Sequence, residues 1–298
     1  MRLLDVIKPS SEYLEKSGVD DPLAEAETLI FYSAGIDRMS AYVNNPETEK
    51  DLLSRIRRLL RRRAKGEPLQ YLIGHVDFLG LTIHVGRGVL IPRPETELLA
   101  EETIRDVKRQ MLHAGEKREN NKGLNKVRDS QFSILDLCTG SGCIALALAR
   151  EFPSASVCGT DISRKAVQYA RKNALTNGIG NVTFFIGPLF EPLKKKSGFD
   201  LIVSNPPYVK RSDIKKLQRE IKEWEPTEAL DGGEDGLDFY RKIFSDAGTY
   251  LREKGEIVLE LGFGQAGEVI AIAKETGFKN IEIKRDLAGI ERILKAGI

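Results

Sequence analysis

The sequence predicts an α/β protein: a doubly wound, mostly parallel, seven-stranded sheet with a small helical N-terminal domain joined to it by a β-hairpin. Three observations predict it. From Phe132 onward, short apolar runs alternate with helical stretches, the pattern of a parallel sheet covered on both faces. Up to about residue 74, apolar residues recur at helical spacing only. Between the two, residues 76–91 hold brief β-like runs interrupted by glycine. With 298 residues, 41% of them hydrophobic, the chain can bury one large core and a small companion.

Each element has its own warrant. Leu23, Ala26, Leu29 and Ile30 form one helical stripe, and Leu52, Leu53, Ile56, Leu59 and Leu60 another. The second carries Arg57, Arg58, Arg61, Arg62 and Lys65 on its other side, a basic face that reads as a solvated helix face or, alternatively, as a surface for an acidic partner or RNA. Gly66-Glu67-Pro68 ends it. Phe78–Val85 and Val89–Ile91 read as hairpin strands turned at Gly86-Arg87-Gly88. A helix is expected from about Leu98 to Met111, and the polar, aperiodic stretch His113–Ser130 reads as an exposed insertion. Strands follow at Ser133–Leu137, Ser156–Thr160, Val182–Ile186, Asp200–Val203, Glu256–Leu261, Lys279–Lys284 and Glu291–Lys295. Helices are expected at Ile144–Glu151, Arg164–Thr176 and Phe239–Glu253. The last two strands lie so close in sequence that they form a hairpin, which turns the final one antiparallel. The expected domains are 1–74 (helical, for substrate recognition), 75–95 (hairpin linker) and 96–298 (the sheet, with its insertion at 113–130).

Composition excludes several classes. A formal charge of +2 is too small to argue for a nucleic-acid partner. Residues 1–30 carry Asp5, Lys8, Glu12, Glu15 and Lys16, so no apolar signal core or membrane span is present there. Cys138, Cys143 and Cys158 form no disulfide framework, and none stands at metal-ligand spacing from His75, His84 or His113. A reduced, cytoplasmic, metal-free protein is expected.

Two motifs carry chemistry. Ile134-Leu135-Asp136-Leu137 runs into Cys138-Thr139-Gly140-Ser141-Gly142 and then a helix. Glycines there allow a tight turn and close approach of a cofactor, and the helix start offers free N–H groups. Asp161 ends the next strand, where a carboxylate takes both ribose hydroxyls of a nucleoside. The glycine loop also fits a dinucleotide fingerprint, so a nicotinamide-dependent oxidoreductase is a competing reading. Asp136, placed to meet an ammonium group, and the lack of a His in the α/β part count against it.

The second motif is Asn205-Pro206-Pro207-Tyr208, at the mouth of the apolar strand Leu201-Ile202-Val203. Two prolines make a rigid, non-helical platform. The Asn205 side-chain oxygen and the Pro206 carbonyl are acceptors able to hold a planar –NH2 group, with the Tyr208 ring stacked on it. Strand ends of a parallel sheet open on one edge, so both motifs belong to one crevice. Together they describe an S-adenosylmethionine site beside an amino-group clamp. The clamp alone leaves glutamine and adenine equally open. On this reading Asn205→Ala should nearly abolish transfer, and Tyr208→Phe should be mild because only a hydroxyl is lost.

Over nearly its whole length the chain resembles the peptide chain release factor glutamine methyltransferases (the PrmC/HemK type). The likeness lies in Gly66-Glu67-Pro68-Leu69-Gln70-Tyr71, Leu90-Ile91-Pro92-Arg93-Pro94-Glu95-Thr96-Glu97, Asp136–Gly142, Asn205–Tyr208 and Glu225-Pro226-Thr227-Glu228-Ala229-Leu230. The resemblance implies methylation of the glutamine in the Gly-Gly-Gln motif of class I release factors, rather than of adenine in DNA or RNA. It implies S-adenosylmethionine contacts at Asp136, Cys138, Thr139, Gly140, Ser141, Gly142, Asp161, Leu189 and Asn205. Asn205, Pro206, Pro207 and Tyr208 would hold the glutamine. From the residues alone, Arg93, Pro94, Glu95 and Thr96 read either as a lining of the crevice or as a plain helix start, with Pro94 and two acids near its positive end. One departure stands out: Gly187-Pro188-Leu189-Phe190 carries proline where such proteins usually have an acid able to accept from the adenine amino group. Leu189 can still pack on the ring.

Overall fold

The computed structural model describes residues 1–119, 132–193 and 198–298. The chain divides into two compact units. One comprises Met1–His75 with Val85–Arg87 and Leu217–Glu225; the other holds Val76–His84, Gly88–Lys216 and Pro226–Ile298.

The first unit contains α1 (Ile7–Glu15), α2 (Pro22–Ala34), α3 (Arg38–Asn44), α4 (Lys50–Ala64) and α5 (Leu69–Ile73). Asp21 caps α2 with Pro22 at its first position, and Gly35 closes it in a left-handed conformation. Leu3, Leu14, Leu29, Ile30 and Ile56 are fully buried in its core. Arg57, Arg58, Arg61, Arg62 and Lys65 are exposed, whereas Arg63 is buried. Its guanidinium meets Glu25 of α2 and Glu220 of α9 (Arg219–Trp224). Trp224 ends α9 beneath the Arg87 guanidinium, 5.9 Å from the ring centre.

The second unit opens with the hairpin β1 (His75–Phe78) and β2 (Leu81–His84). The turn falls at Leu79-Gly80, not at Gly86–Gly88, and Val89–Ile91 is not a strand. Both turn residues have positive φ, 51° and 75°, the pair demanded by a two-residue loop matching strand twist. Asp77 Oδ1 holds the Gly80 N–H at 3.1 Å. Leucine is not a residue that advertises such a turn.

Next comes α6 (Pro94–Glu119), longer at both ends than its apolar stripe suggests. Part of the expected insertion, 113–119, is therefore helical; its residues 120–130 lie outside the described residues. The seven sheet strands are β3 (Ser133–Leu137), β4 (Ser156–Asp161), β5 (Val182–Ile186), β6 (Phe199–Ser204), β7 (Leu251–Glu260), β8 (Lys279–Arg285) and β9 (Glu291–Gly297). They lie in the order β5-β4-β3-β6-β7-β9-β8, with β9 antiparallel to both neighbours. Helices α7 (Cys143–Glu151), α8 (Arg164–Thr176), α10 (Asp238–Tyr250) and α11 (Ala266–Glu275) complete the unit.

β3 and β6 are buried on both faces because helices cover both. Leu135, Leu137, Ile202, Ile257 and Leu259 share one core with Tyr240 and Phe244 of α10 and Val269 of α11. Helix α11 escaped the sequence reading because Gly262, Gly264 and Gly267 crowd its start. β7 begins at Leu251, two residues before the expected helix end, after α10 stops at Tyr250.

Candidate active site

The parallel register builds the site. Leu137 of β3 pairs with Thr160 of β4 and Ser204 of β6, and Ser204 pairs with Leu259 of β7. The residues one step further, Asp161, Cys138, Asn205 and Glu260, therefore form a row along the carboxyl edge. The row spans β3 and β6, where the strand order reverses and open α/β sheets bind their ligands.

In the first half of the row, the chain leaves β3 through Cys138, held at φ 56°. A left-handed cysteine costs on the order of 1–3 kcal/mol, strain of the kind that collects at ligand-binding loops. Thr139 N–H donates to Thr160 O at 2.9 Å, and Ser204 Oγ donates to Leu137 O at 2.7 Å, tying the turn to both neighbouring strands. Gly142 starts α7 at φ 82°, and a Cβ there would lie 2.9 Å from the Ala170 Cβ. Over Gly140 the situation is the reverse: the nearest atom to an added Cβ is Cys138 O at 3.9 Å. The loop is packed from behind and open in front.

Asp161 is fixed to that loop. Its Oδ2 accepts from Gly140 N–H at 2.9 Å and its Oδ1 from Ser163 N–H at 2.8 Å. Burial raises its pKa and the two backbone donors lower it in part. Each oxygen keeps acceptor capacity for a hydroxyl. Asp136 is wholly enclosed: Oδ2 accepts from Thr139 Oγ1 at 2.5 Å and from Ala145 N–H at 3.2 Å. Burial pushes its pKa up to about 7, and Oδ1 is a buried acceptor with no donor. Ser141 is buried and its carbonyl accepts from Asn173 at 2.9 Å. Leu189 is half-buried at φ 45° beside exposed Pro188. Open space over Gly140, the Asp161 carboxylate and the orphaned Asp136 oxygen fit a nucleoside bearing an ammonium group.

The second half surrounds Asn205. Its Nδ2 donates to Thr96 Oγ1 at 2.9 Å, and Thr96 donates in turn to Glu260 Oε2 at 2.8 Å. Tyr208 OH donates to the other carboxylate oxygen at 3.1 Å. Pro206 and Pro207 are buried, and Gln265 Nε2 holds the Tyr208 carbonyl at 3.0 Å. The Asn205 amide is thus turned with its donor inward and its oxygen outward. Glu260 is 1% exposed, and burial pushes its pKa up to about 7, opposed by its bonds from Thr96 and Tyr208.

The residues Arg93, Pro94, Glu95 and Thr96 have different surroundings. Pro94 is exposed at the first turn of α6, Arg93 and Glu95 are half-buried, and Glu95 meets Arg292 at 3.3 Å. Thr96 alone is buried and joins Asn205. The sequence reading passed over Glu260; its signal is one acid inside the apolar run Ile257-Val258-Leu259-Glu260-Leu261. The expectation of a mild Tyr208→Phe also changes. Its hydroxyl serves a buried carboxylate, and leaving such a group short of a donor costs about 1–3 kcal/mol.

Among the described residues no helix is long and apolar enough to cross a membrane, and no group of His, Cys, Asp and Glu is placed to hold a metal ion. Residues 5–74 match the PrmC N-terminal domain and residues 128–245 a methyltransferase domain. The release factor glutamine methyltransferase of Thermodesulfovibrio yellowstonii is 46% identical over 99% of this chain and 97% of its own length. That of Geobacter sulfurreducens is 43% identical over 95% of this chain and 92% of its own. Two solved structures share the fold. A Pyrococcus furiosus methyltransferase covers 82% of this chain and 98% of its own at 18% identity and TM-score 0.50. The N-terminal domain of human METTL16 covers 80% and 81% at 19% identity and TM-score 0.51. Identity of this order across both units places the chain in the release factor glutamine methyltransferase family.

Proposed function

We propose that this protein transfers a methyl group from S-adenosylmethionine to the side-chain amide nitrogen of the glutamine in the Gly-Gly-Gln motif of class I release factors. The observation that carries this is the orientation of Asn205: Thr96 takes its donor side, which leaves Oδ1 as an acceptor turned away from Thr96, and the carbonyl of the next residue, Pro206, is the proposed second acceptor. Two acceptors side by side suit the two hydrogens of a primary amide. The names of the full-length relatives select glutamine over adenine.

S-adenosylmethionine supplies a methyl already activated by its sulfonium leaving group. Asp161 is proposed to take the ribose hydroxyls, Cys138–Gly142 to hold the remainder by backbone contact, and Leu189 to pack on the base. The orphaned Asp136 Oδ1 is the proposed partner of the ammonium group. Asn205 Oδ1 and Pro206 O would each accept one amide N–H, which fixes the nitrogen and favours the positive charge that builds on it. Alignment of two bound reactants supplies on the order of 7–11 kcal/mol at best. Tyr208 would stack on the amide plane, and Pro207 would keep the platform stiff. An N-alkylated, protonated amide is a strong acid, so its proton leaves to water and needs no dedicated base. The helical N-terminal unit is proposed to recognise the release factor.

The test uses labelled S-adenosylmethionine with three acceptors in parallel: a class I release factor, the same factor with its motif glutamine changed to alanine, and DNA. Label should enter the first alone. Equal labelling of the alanine variant, or labelling of DNA, would overturn the assignment.

A further inference from the structure

Hydrogen-bond direction makes the Asn205 orientation depend on a residue that need not touch either reactant. In its ionised form, which it holds above about pH 7, the Glu260 carboxylate only accepts. Tyr208 and Thr96 therefore both point their protons at Glu260, and Thr96 has no second proton to give. What remains at Thr96 Oγ1 is lone pairs, so it can face the –NH2 end of Asn205 and repels its oxygen end. Were Glu260 unable to receive the Thr96 proton, that proton could turn to Asn205 and the flipped amide would be satisfied equally well. The flipped amide presents a donor to a substrate that itself brings two donors, and the clamp is lost.

We propose that Glu260 is a positioning residue for methyl transfer, which through the Thr96 hydroxyl fixes the Asn205 amide with its oxygen toward the acceptor nitrogen. This rests on the Asn205 clamp proposed above. The rest of the environment keeps the relay in place. Tyr240 OH, from α10, donates to the Glu260 backbone carbonyl at 2.8 Å. Thr96 sits in the first turn of α6, where the helix start at Pro94 fixes its direction. Glu95 beside it pairs with Arg292 of β9 at 3.3 Å, and the two charges act on Glu260 in opposite directions.

Thr96→Val keeps the shape and removes the hydroxyl; Thr96→Ser keeps the hydroxyl; Glu260→Gln keeps the shape and adds a donor where only an acceptor belongs. Each is assayed for kcat on a release factor and for S-adenosylmethionine affinity by calorimetry, with Asn205→Ala alongside. Misorientation of one aligned group costs roughly tenfold to hundredfold in rate. Thr96→Val and Glu260→Gln should each lose about that much in kcat while their affinity for S-adenosylmethionine stays within about threefold. Thr96→Ser should restore most of what Thr96→Val loses. The Thr96→Val, Glu260→Gln double variant should be little worse than either alone, because both cut one relay. Thr96→Val with the kcat of Thr96→Ser, or losses that multiply in the double variant, would overturn the relay. If Asn205→Ala is inactive while Thr96→Val is fully active, the relay alone fails. If Asn205→Ala itself turns over normally, the clamp fails and the relay with it.

Discussion

At the scale of single residues, the site is organised around two buried carboxylates with different partners. Asp136 and Glu260 are both pushed up to about 7 by burial, from ordinary carboxylate values near 4. The sign of the consequence is fixed by linkage: the folded state holds these protons more tightly than the unfolded one, so acidification favours folding. The melting temperature of the protein should therefore rise as pH falls from about 8 through 7 and level off toward 4, where the unfolded chain also protonates. Asp136→Asn should flatten part of that rise. An Asp136→Asn variant whose pH dependence matches that of the parent would show that the Asp136 carboxyl is not displaced. Asp136, Asp161 and Asn205 were legible in the sequence, because a polar residue ending a buried apolar strand has few structural reasons to be there. Glu260 fits the same description. It went unread because no glycine or proline beside it marks the strand end, and its partner Thr96 lies 164 positions away.

Among the elements, the sheet strands were the clearest in sequence, since each is a short apolar run closed by a polar turn. The hairpin turn was misplaced because Leu79, not a glycine pair, takes the positive φ. Arg63 was a third kind of omission. It belongs to the basic series of α4, yet it points inward, where it is 3% exposed and bridges Glu25 and Glu220. Periodicity assigns charge to the solvent side, and only a specific acid from elsewhere reverses that. The bridge fastens 217–225 to the helical unit, although that segment is remote in sequence. Breaking a buried ion pair by removing one partner costs about 3–5 kcal/mol. Arg63→Ala should fall below that range, because the Glu220 side chain is 37% exposed and water can replace its partner. The checking measurement is limited proteolysis: cleavage within 217–225 should accelerate in Arg63→Ala. Unchanged cleavage and an unchanged denaturation midpoint would mean that the bridge contributes nothing.

For the molecule as a whole, the order of strands decides the chemistry. The glycine loop by itself allowed a nicotinamide cofactor. Placing Asp161, Cys138, Asn205 and Glu260 in one row, across the point where strand order reverses, sets the proposed amide clamp beside the proposed nucleoside site. The row is a product of register, which no local window of sequence contains. The family assignment covers both units. Central to the proposed function is that Asn205 supplies an acceptor to the reacting amide rather than merely shaping the cofactor site. Single-turnover methylation of a release factor by Asn205→Ala, at saturating S-adenosylmethionine, tests this most directly. A fall in rate of roughly a hundredfold to a thousandfold is predicted, the scale of losing one preorganised electrostatic partner, with cofactor affinity only modestly reduced. A near-normal rate, or a loss recovered by raising S-adenosylmethionine further, would contradict it.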